Sequence, residues 1–334
     1  MKTLGFTIIL IFSLCARSEN GKGEAIHLYI ENDTRRIGGP GSDNAYSSGV
    51  KLSYIFAESN VPNWAESVLN RSEELRNAIE NSKTNYGFSI GQQIFTPNDT
   101  RRSNLILDDR PYAAWLYAGF SAQFQNQAQS HAVELDIGII GPEALGNPVQ
   151  NGFHRGIGIP EAQGWDHQIA TEPTVQVSYQ QRLRFLELKM ADRKYVDVVP
   201  FFGGGLGNVF INAHAGGMVR LGTLLDEDLG PARPSMANGD NFVNPNTNVE
   251  KRTSIYVFAS GQGIAMARNV FLDGNTFRGS HRVTKYPFIV ETEFGVVGHY
   301  HNWSGSWRFV SRSPEFEQRS KINSFASISL GYTY

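Results

Sequence analysis

Apolar and polar side chains alternate with period two in short runs along the whole chain after its first 18 residues. The clearest runs are Val50-Leu52-Tyr54-Phe56, Leu116-Ala118-Phe120-Ala122-Phe124 and Phe288-Val290-Thr292-Phe294-Val296, the last with Glu291 and Glu293 between its apolar members. Val175, Val177 and Tyr179 interleave with Gln176, Ser178 and Gln180 in the same way, and Val133 to Ile139 sets apolar side chains against Glu134 and Asp136. Carboxylates on one face of a strand imply a wet interior, and the opposite face is then free to meet lipid. No later stretch is apolar enough to cross a bilayer as a helix, which needs roughly 20 such residues. Repeated weak alternation is the pattern of a transmembrane barrel, and the last segment, Ala326 to Tyr334, alternates up to a terminal aromatic suited to an interfacial girdle.

The pattern predicts an all-β, antiparallel transmembrane barrel of about twelve strands, an even number as such barrels require. The strands are expected at 25–31, 46–57, 85–95, 112–126, 130–140, 173–186, 195–206, 211–222, 252–266, 285–299, 303–312 and 321–334. With both termini in the periplasm, the connections 32–45, 96–111, 141–172, 207–210, 267–284 and 313–320 face outward. Two periplasmic connections, 58–84 and 223–251, are long for this class, which leaves room for a miscounted strand between 187 and 251. Trp64, Val68, Leu75 and Ile79 recur at helical spacing and predict a helix in the first of them.

Residues 1–18 read as a signal peptide: Lys2, the apolar run Leu4–Leu14, then Ala16-Arg17-Ser18 at a cleavage site. Residues 19–334 then form one barrel domain. The single cysteine, Cys15, falls inside the leader; a lipoprotein reading is weaker, because Leu14 is bulky before a lipidated cysteine. The formal net charge of −2 gives no support to a nucleic-acid partner. A membrane-embedded monomer is the expectation.

Candidate chemistry gathers in three outward loops. Asn32 and Asp33 end the first strand and offer the hard oxygens that calcium prefers, although Asn-Asp after a strand is also a turn signal. Asp43, Tyr46, Ser47 and Ser48 open the facing strand. Arg101 and Arg102 suit a phosphate or an oxyanion, or an ordinary solvated rim. Gln150 and His154 stand four apart, a spacing that puts them on one face of a helix. An imidazole near pH 7 can take a proton from water. His-Glu-x-x-His and Cys-His zinc patterns are absent from the sequence, and water is the expected attacking group.

In order along the chain, Glu31-Asn32-Asp33, Tyr46-Ser47-Ser48-Gly49, Ser89 to Pro97, Asp109-Arg110-Pro111-Tyr112-Ala113, Gly138 to Pro142, Val149-Gln150-Asn151, His154-Arg155 and Gly164 to Gln168 resemble the outer-membrane lipid A deacylase family. The resemblance implies a twelve-stranded barrel with its site between the outer wall and a short helix on an extracellular loop. It implies calcium-dependent hydrolysis of the 3′-linked acyloxyacyl ester of lipid A in the outer leaflet of the membrane. His154 would then be the base, Asn32 and Asp33 would hold the metal and the oxyanion region, and Gln150 would position the site. Arg101 or Arg102 would take the place of a basic pair, Ser47 would stand where some members carry threonine, and Glu161 would be a further metal ligand. A porin or channel, and an outer-membrane phospholipase, are the competing readings.

Overall fold

The computed structural model describes residues 24–33, 45–56, 82–190, 193–223, 225, 228–232, 253–319 and 321–334. The expected signal peptide, the expected helix carrying Trp64 to Ile79 and Asp43 lie outside the described residues. The elements are β1 (Ala25–Asn32), β2 (Ala45–Ile55), β3 (Lys83–Thr96), β4 (Ala113–Gln125), β5 (Gln129–Ile140), α1 (Gly146–Ile157), β6 (Glu172–Leu183), β7 (Leu186–Met190), β8 (Arg193–Gly207), β9 (Phe210–Gly222), β10 (Thr253–Asn269), α2 (Val270–Asp273), β11 (Phe288–Tyr300), β12 (Trp303–Arg312) and β13 (Asn323–Thr333).

Each strand pairs antiparallel with its neighbours, and β1 closes on β13 from Ala25↔Thr333 to Asn32↔Ala326. β6 and β7 both pair with β8, through Gln176–Arg182 and Leu186–Met190 respectively, so they form one interrupted strand. The barrel therefore has twelve staves. The stave expected at 173–186 is broken at 184–185 and continues as β7 to Met190, beyond its expected end.

Polarity is inverted relative to a water-soluble core, because the outer solvent is hydrocarbon. On β5, Val133, Leu135 and Ile137 are exposed while Glu134 and Asp136 are buried inside. The buried acid is paired: Lys51 Nζ of β2 reaches Glu134 Oε1 at 2.5 Å. Isolated charge in so enclosed a place would be costly, so each inward ion needs a partner.

Two internal seals close the lumen. At the outer mouth α2 turns inward and buries Val270, Phe271 and Leu272, with Phe271 stacked on Phe95 at 3.9 Å between ring centroids. Nearer the termini, the start of the long connection after β9 enters the barrel, and guanidinium groups grip its backbone. Arg182 donates to the carbonyls of Leu229 (3.1 Å) and Pro231 (3.2 Å), Arg184 to Leu225 and Asp228, and Arg308 to Ala232 at 2.6 Å. Arg220 joins Asp197 (2.5 Å) to Asp228, whose carboxylate also accepts from Tyr256. The described part of that connection, Leu225 and residues 228–232, thus lies inside the barrel.

Candidate active site

The segment Gly146–Ile157 has little intrinsic reason to be helical, since it holds three glycines, a proline and two asparagines. Its ends are favourable nonetheless. Pro148 sits in the first turn, where its missing N–H costs nothing, and His154 and Arg155 sit in the last, where positive charge suits the dipole. Gly158 ends the helix in the left-handed region (φ 75°) and donates its N–H to the His154 carbonyl, a conformation glycine adopts without strain. Packing on the barrel supplies the rest.

That packing is unusual in sign. Gln150, Asn151 and His154 are buried, with His154 only 3% exposed, whereas Val149, Phe153 and Ile157 are about half exposed. A helix that hides polar groups and shows apolar ones is built for a bilayer, with its polar stripe turned to the protein. The apolar anchor is below its first turn: Ile94 and Ala114 on the outward face of β3 and β4 cluster with Ala144, Ala162, Tyr112 and Trp165. Gln92 Nε2 donates to the Ala144 carbonyl at 2.6 Å.

On the wall, register gathers the expected residues. Asn32 pairs with Ser48, Ser48 with Ile94 and Ile94 with Ala114, one row across four strands. It lies on the face that shows Ile30, Val50 and Ile90 to the exterior two to four residues away. Register shifts between Tyr46 and Ser48, so Ser47 is the extra residue of a bulge. Such bulges re-aim a side chain; Ser47 Oγ lies 2.5 Å from Thr96 Oγ1, and both are buried. Asp33 is buried just past the end of β1, and its charge acts on Arg319 of the 313–322 loop.

The helix side is fixed by backbone and indole contacts. His154 Nδ1 lies 2.8 Å from the Pro160 carbonyl, which can only accept, so the proton sits on Nδ1 and Nε2 is the basic nitrogen. Trp165 Nε1 donates to Gln150 Oε1 at 3.0 Å. Gln150 Nε2 is buried and has no hydrogen-bond partner among the described residues. A buried amide left in that condition is ready to donate to an incoming acceptor.

Arg101 and Arg102 are exposed, in a loop tied to the return from the helix: Gln163 N–H donates to the Thr100 carbonyl at 2.8 Å, and Gly164 packs under Tyr112 beside the Arg102 carbonyl. Glu161 is engaged elsewhere, by Arg155 at 3.0 Å on the exposed side. Among the described residues no cluster of three or more His, Cys, Asp or Glu side chains is assembled. Asn32 and Asp33 alone offer two hard oxygens, a donor type that fits calcium; its other ligands would have to be carbonyls, water or substrate. Arg110, from the Asp-Arg-Pro-Tyr motif, is an internal residue of the mouth, paired with Glu315 at 2.7 Å. Trp165, Asn151 and Thr96 had no assigned role in the sequence reading. Asn151 was detectable in principle, because 147, 150, 151 and 154 form a polar stripe at helical spacing.

Comparison with known proteins fits this geometry. LpxR from Salmonella typhimurium superposes with a TM-score of 0.76 at 18% identity, covering 93% of this chain and 100% of that one. The translocator domain of autotransporter NalP from Neisseria meningitidis aligns at 8% identity over 100% of this chain and 95% of its own, with a TM-score of 0.36. Among curated proteins no sequence matches. The family model described as outer membrane protein LpxR matches residues 4–334, nearly the full length. This chain, a twelve-stranded barrel of the bacterial outer membrane, therefore belongs to the LpxR family, the outer-membrane lipid A deacylases that its motifs resemble.

Proposed function

We propose that the protein is a lipid A 3′-O-deacylase, a carboxylic-ester hydrolase that acts at the outer leaflet on the outside of its own barrel. The observation that carries the proposal is the inverted helix: it buries His154 and Gln150 against the outward wall and leaves Val149, Phe153 and Ile157 for lipid. A membrane lipid can reach such a cleft sideways, with its acyl ester beside the imidazole and its acyl chains in the bilayer.

In this reading His154 Nε2 takes the proton of a water that attacks the ester carbonyl, and later returns it to the leaving alcohol. The Pro160 carbonyl steadies the imidazolium formed in between, through Nδ1–H. Gln150 Nε2 donates to the developing oxyanion, as the orphaned amide permits. Arg101 and Arg102 meet lipid A phosphate from the adjacent loop. Asn32 and Asp33 would hold calcium, with Glu161 able to join only by leaving Arg155; such an ion would supply Lewis-acid polarisation of the ester carbonyl. Ser47 supplies a hydroxyl to the wall side, next to Thr96.

The channel reading is disfavoured by the two seals across the lumen, which side chains and an inserted segment fill. Mass spectrometry of lipid A from a lipopolysaccharide-producing host, with and without the gene, tests the proposal. Loss of one acyloxyacyl unit is expected, abolished by chelating calcium or by His154→Ala. Unchanged lipid A refutes it, and release of fatty acid from glycerophospholipid instead would reassign the substrate.

A further inference from the structure

Asn151 lies on the buried stripe of α1, one residue after Gln150 and three before His154. Its carboxamide engages both backbone groups of Ala162: the Ala162 N–H donates to Oδ1 at 2.8 Å, and Nδ2 donates to the Ala162 carbonyl at 3.1 Å. Nδ2 also donates to Asn147 Oδ1 at 2.8 Å, which fixes the amide's orientation from within the helix.

The segment so gripped is short: its far end is also held where Ala162 packs in the buried cluster and Gln163 N–H donates to the Thr100 carbonyl, whereas 158–160 make few contacts of their own. It leaves the helix at Gly158, and the N–H of Ile159 folds back on the His154 carbonyl at 2.9 Å. Residues 158–160 are exposed, the Glu161 carboxylate pairs with surface Arg155, and its carbonyl accepts from Gln163 Nε2 at 3.1 Å, a contact local to the same exposed turn. Pro160 has no N–H of its own, so it cannot anchor itself by donation. Its carbonyl nevertheless faces His154 Nδ1 at 2.8 Å. The return is thus pinned at its start by the His154 backbone and at its end by Asn151, and the Pro160 carbonyl is the point between.

We infer that Asn151 is a positioning residue for His154: by clamping Ala162 it holds the Pro160 carbonyl on Nδ1, which sets the tautomer and keeps Nε2 as the basic nitrogen. The inference rests on the proposed role of His154, deepening it by one layer. A misplacement of the base by about 1 Å is enough to cost on the order of 100-fold in rate, so a clamp that never touches substrate can govern turnover.

The test uses the full chain folded in detergent, with Asn151→Ala and Asn151→Asp beside the unaltered protein. Asn151→Ala removes both contacts to Ala162; Asn151→Asp keeps the acceptor for its N–H and loses the donor. Two quantities are read: steady-state deacylation of lipid A, and the imidazole 15N spectrum, with the His154 signals assigned by their loss in His154→Ala. Expected are a kcat lowered about 10- to 100-fold with KM within about twofold in Asn151→Ala, a smaller loss in Asn151→Asp, and a His154 spectrum that passes from the Nδ1-protonated form to a mixture of tautomers. An unchanged spectrum in Asn151→Ala overturns the inference, as does an unchanged kcat. The spectrum needs no turnover, so it judges the clamp even if His154→Ala leaves deacylation intact and refutes the base. Should Asn151→Ala fail to fold, Asn151→Asp carries the same comparison, and identity with the parent in both readouts overturns it.

Discussion

Trp165 Nε1 donates to Gln150 Oε1 at 3.0 Å, and this contact determines which end of the Gln150 amide faces the cleft. With the oxygen occupied, the amide nitrogen is the group presented, and it is buried without a partner among the described residues. Trp165 is itself immobilised by Tyr112, at 4.9 Å between ring centroids. Trp165→Phe keeps most of that packing and deletes the N–H. Losing one hydrogen bond of about 0.5–1.5 kcal/mol frees the amide to rotate, so kcat is expected to fall about three- to tenfold. The folded barrel's shift on unheated gels should remain. Full activity in Trp165→Phe would remove Gln150 from the oxyanion role.

The helix approaches the wall closely because residue 146 has no side chain. A Cβ there would stand 2.4 Å from the Trp165 ring and 2.6 Å from the Ala114 Cβ, both buried and unable to yield. Gly146→Val therefore forces the first turn of α1 away from β4, at a cost of about 1–3 kcal/mol. The strand ladders do not pass through this contact. Deacylation is expected to fall more than about tenfold while the barrel still folds, as read by gel mobility and circular dichroism. Retained activity would show that the cleft does not need the close approach.

Closure of the lumen makes an electrical prediction. Arg220 is fully buried between Asp197 and Asp228, and four guanidinium groups hold the inserted segment. In planar bilayers both the parent and His154→Ala should be silent. Arg220→Ala strands two buried carboxylates, a loss on the order of 3–5 kcal/mol. It should raise water access to the periplasmic half, measured by thiol labelling of a Ser254→Cys reporter. Conductance should stay absent even then, because Phe271 and its neighbours seal the other end independently. Steady conductance through the parent protein would favour the channel reading over the closed barrel.

Much of the fold was legible because the barrel's solvent reverses polarity on alternate residues, and a period of two survives any loop. Val133, Leu135 and Ile137 outward, with Glu134 and Asp136 inward, follow from the sequence alone. The Gln150–His154 spacing also translated directly into a shared helical face. The destination of Leu225 and residues 228–232 was not legible, since apart from the Asp228 carboxylate their grip comes from backbone carbonyls, which carry no residue signature. Arg110's internal role was not legible for a related reason: its partner Glu315 lies 205 residues away in sequence. Ser47 reached the outer face through a one-residue bulge, a register event that alternation cannot foretell.

Glu315 gives the outer rim a pH dependence whose sign follows from its surroundings. Burial by itself would raise its carboxyl pKa, but the charges of Arg110, Arg312 and Arg319, with the hydrogen bond from Arg110, more than offset that and hold it below the ordinary carboxylate range. A group depressed in the folded state contributes stability that is complete above its unfolded value of about 4. That contribution is lost as pH falls through the lower, folded value. The rim should therefore be unchanged from pH 7 to about 5 and loosen progressively below about 4. The loops joined there give a direct readout, because Tyr286 N–H donates to the Glu315 carbonyl at 2.9 Å and Glu317 N–H to that of Thr284 at 3.0 Å. Hydrogen exchange at these two amides, corrected for its intrinsic pH dependence, should stay slow to about pH 5 and then accelerate. Glu315→Gln should abolish that acid transition and, by leaving Arg110 buried without its carboxylate, speed exchange already at pH 7. If exchange at Tyr286 and Glu317 is equally slow in parent and variant at neutral pH, the ion cluster does not hold the rim together.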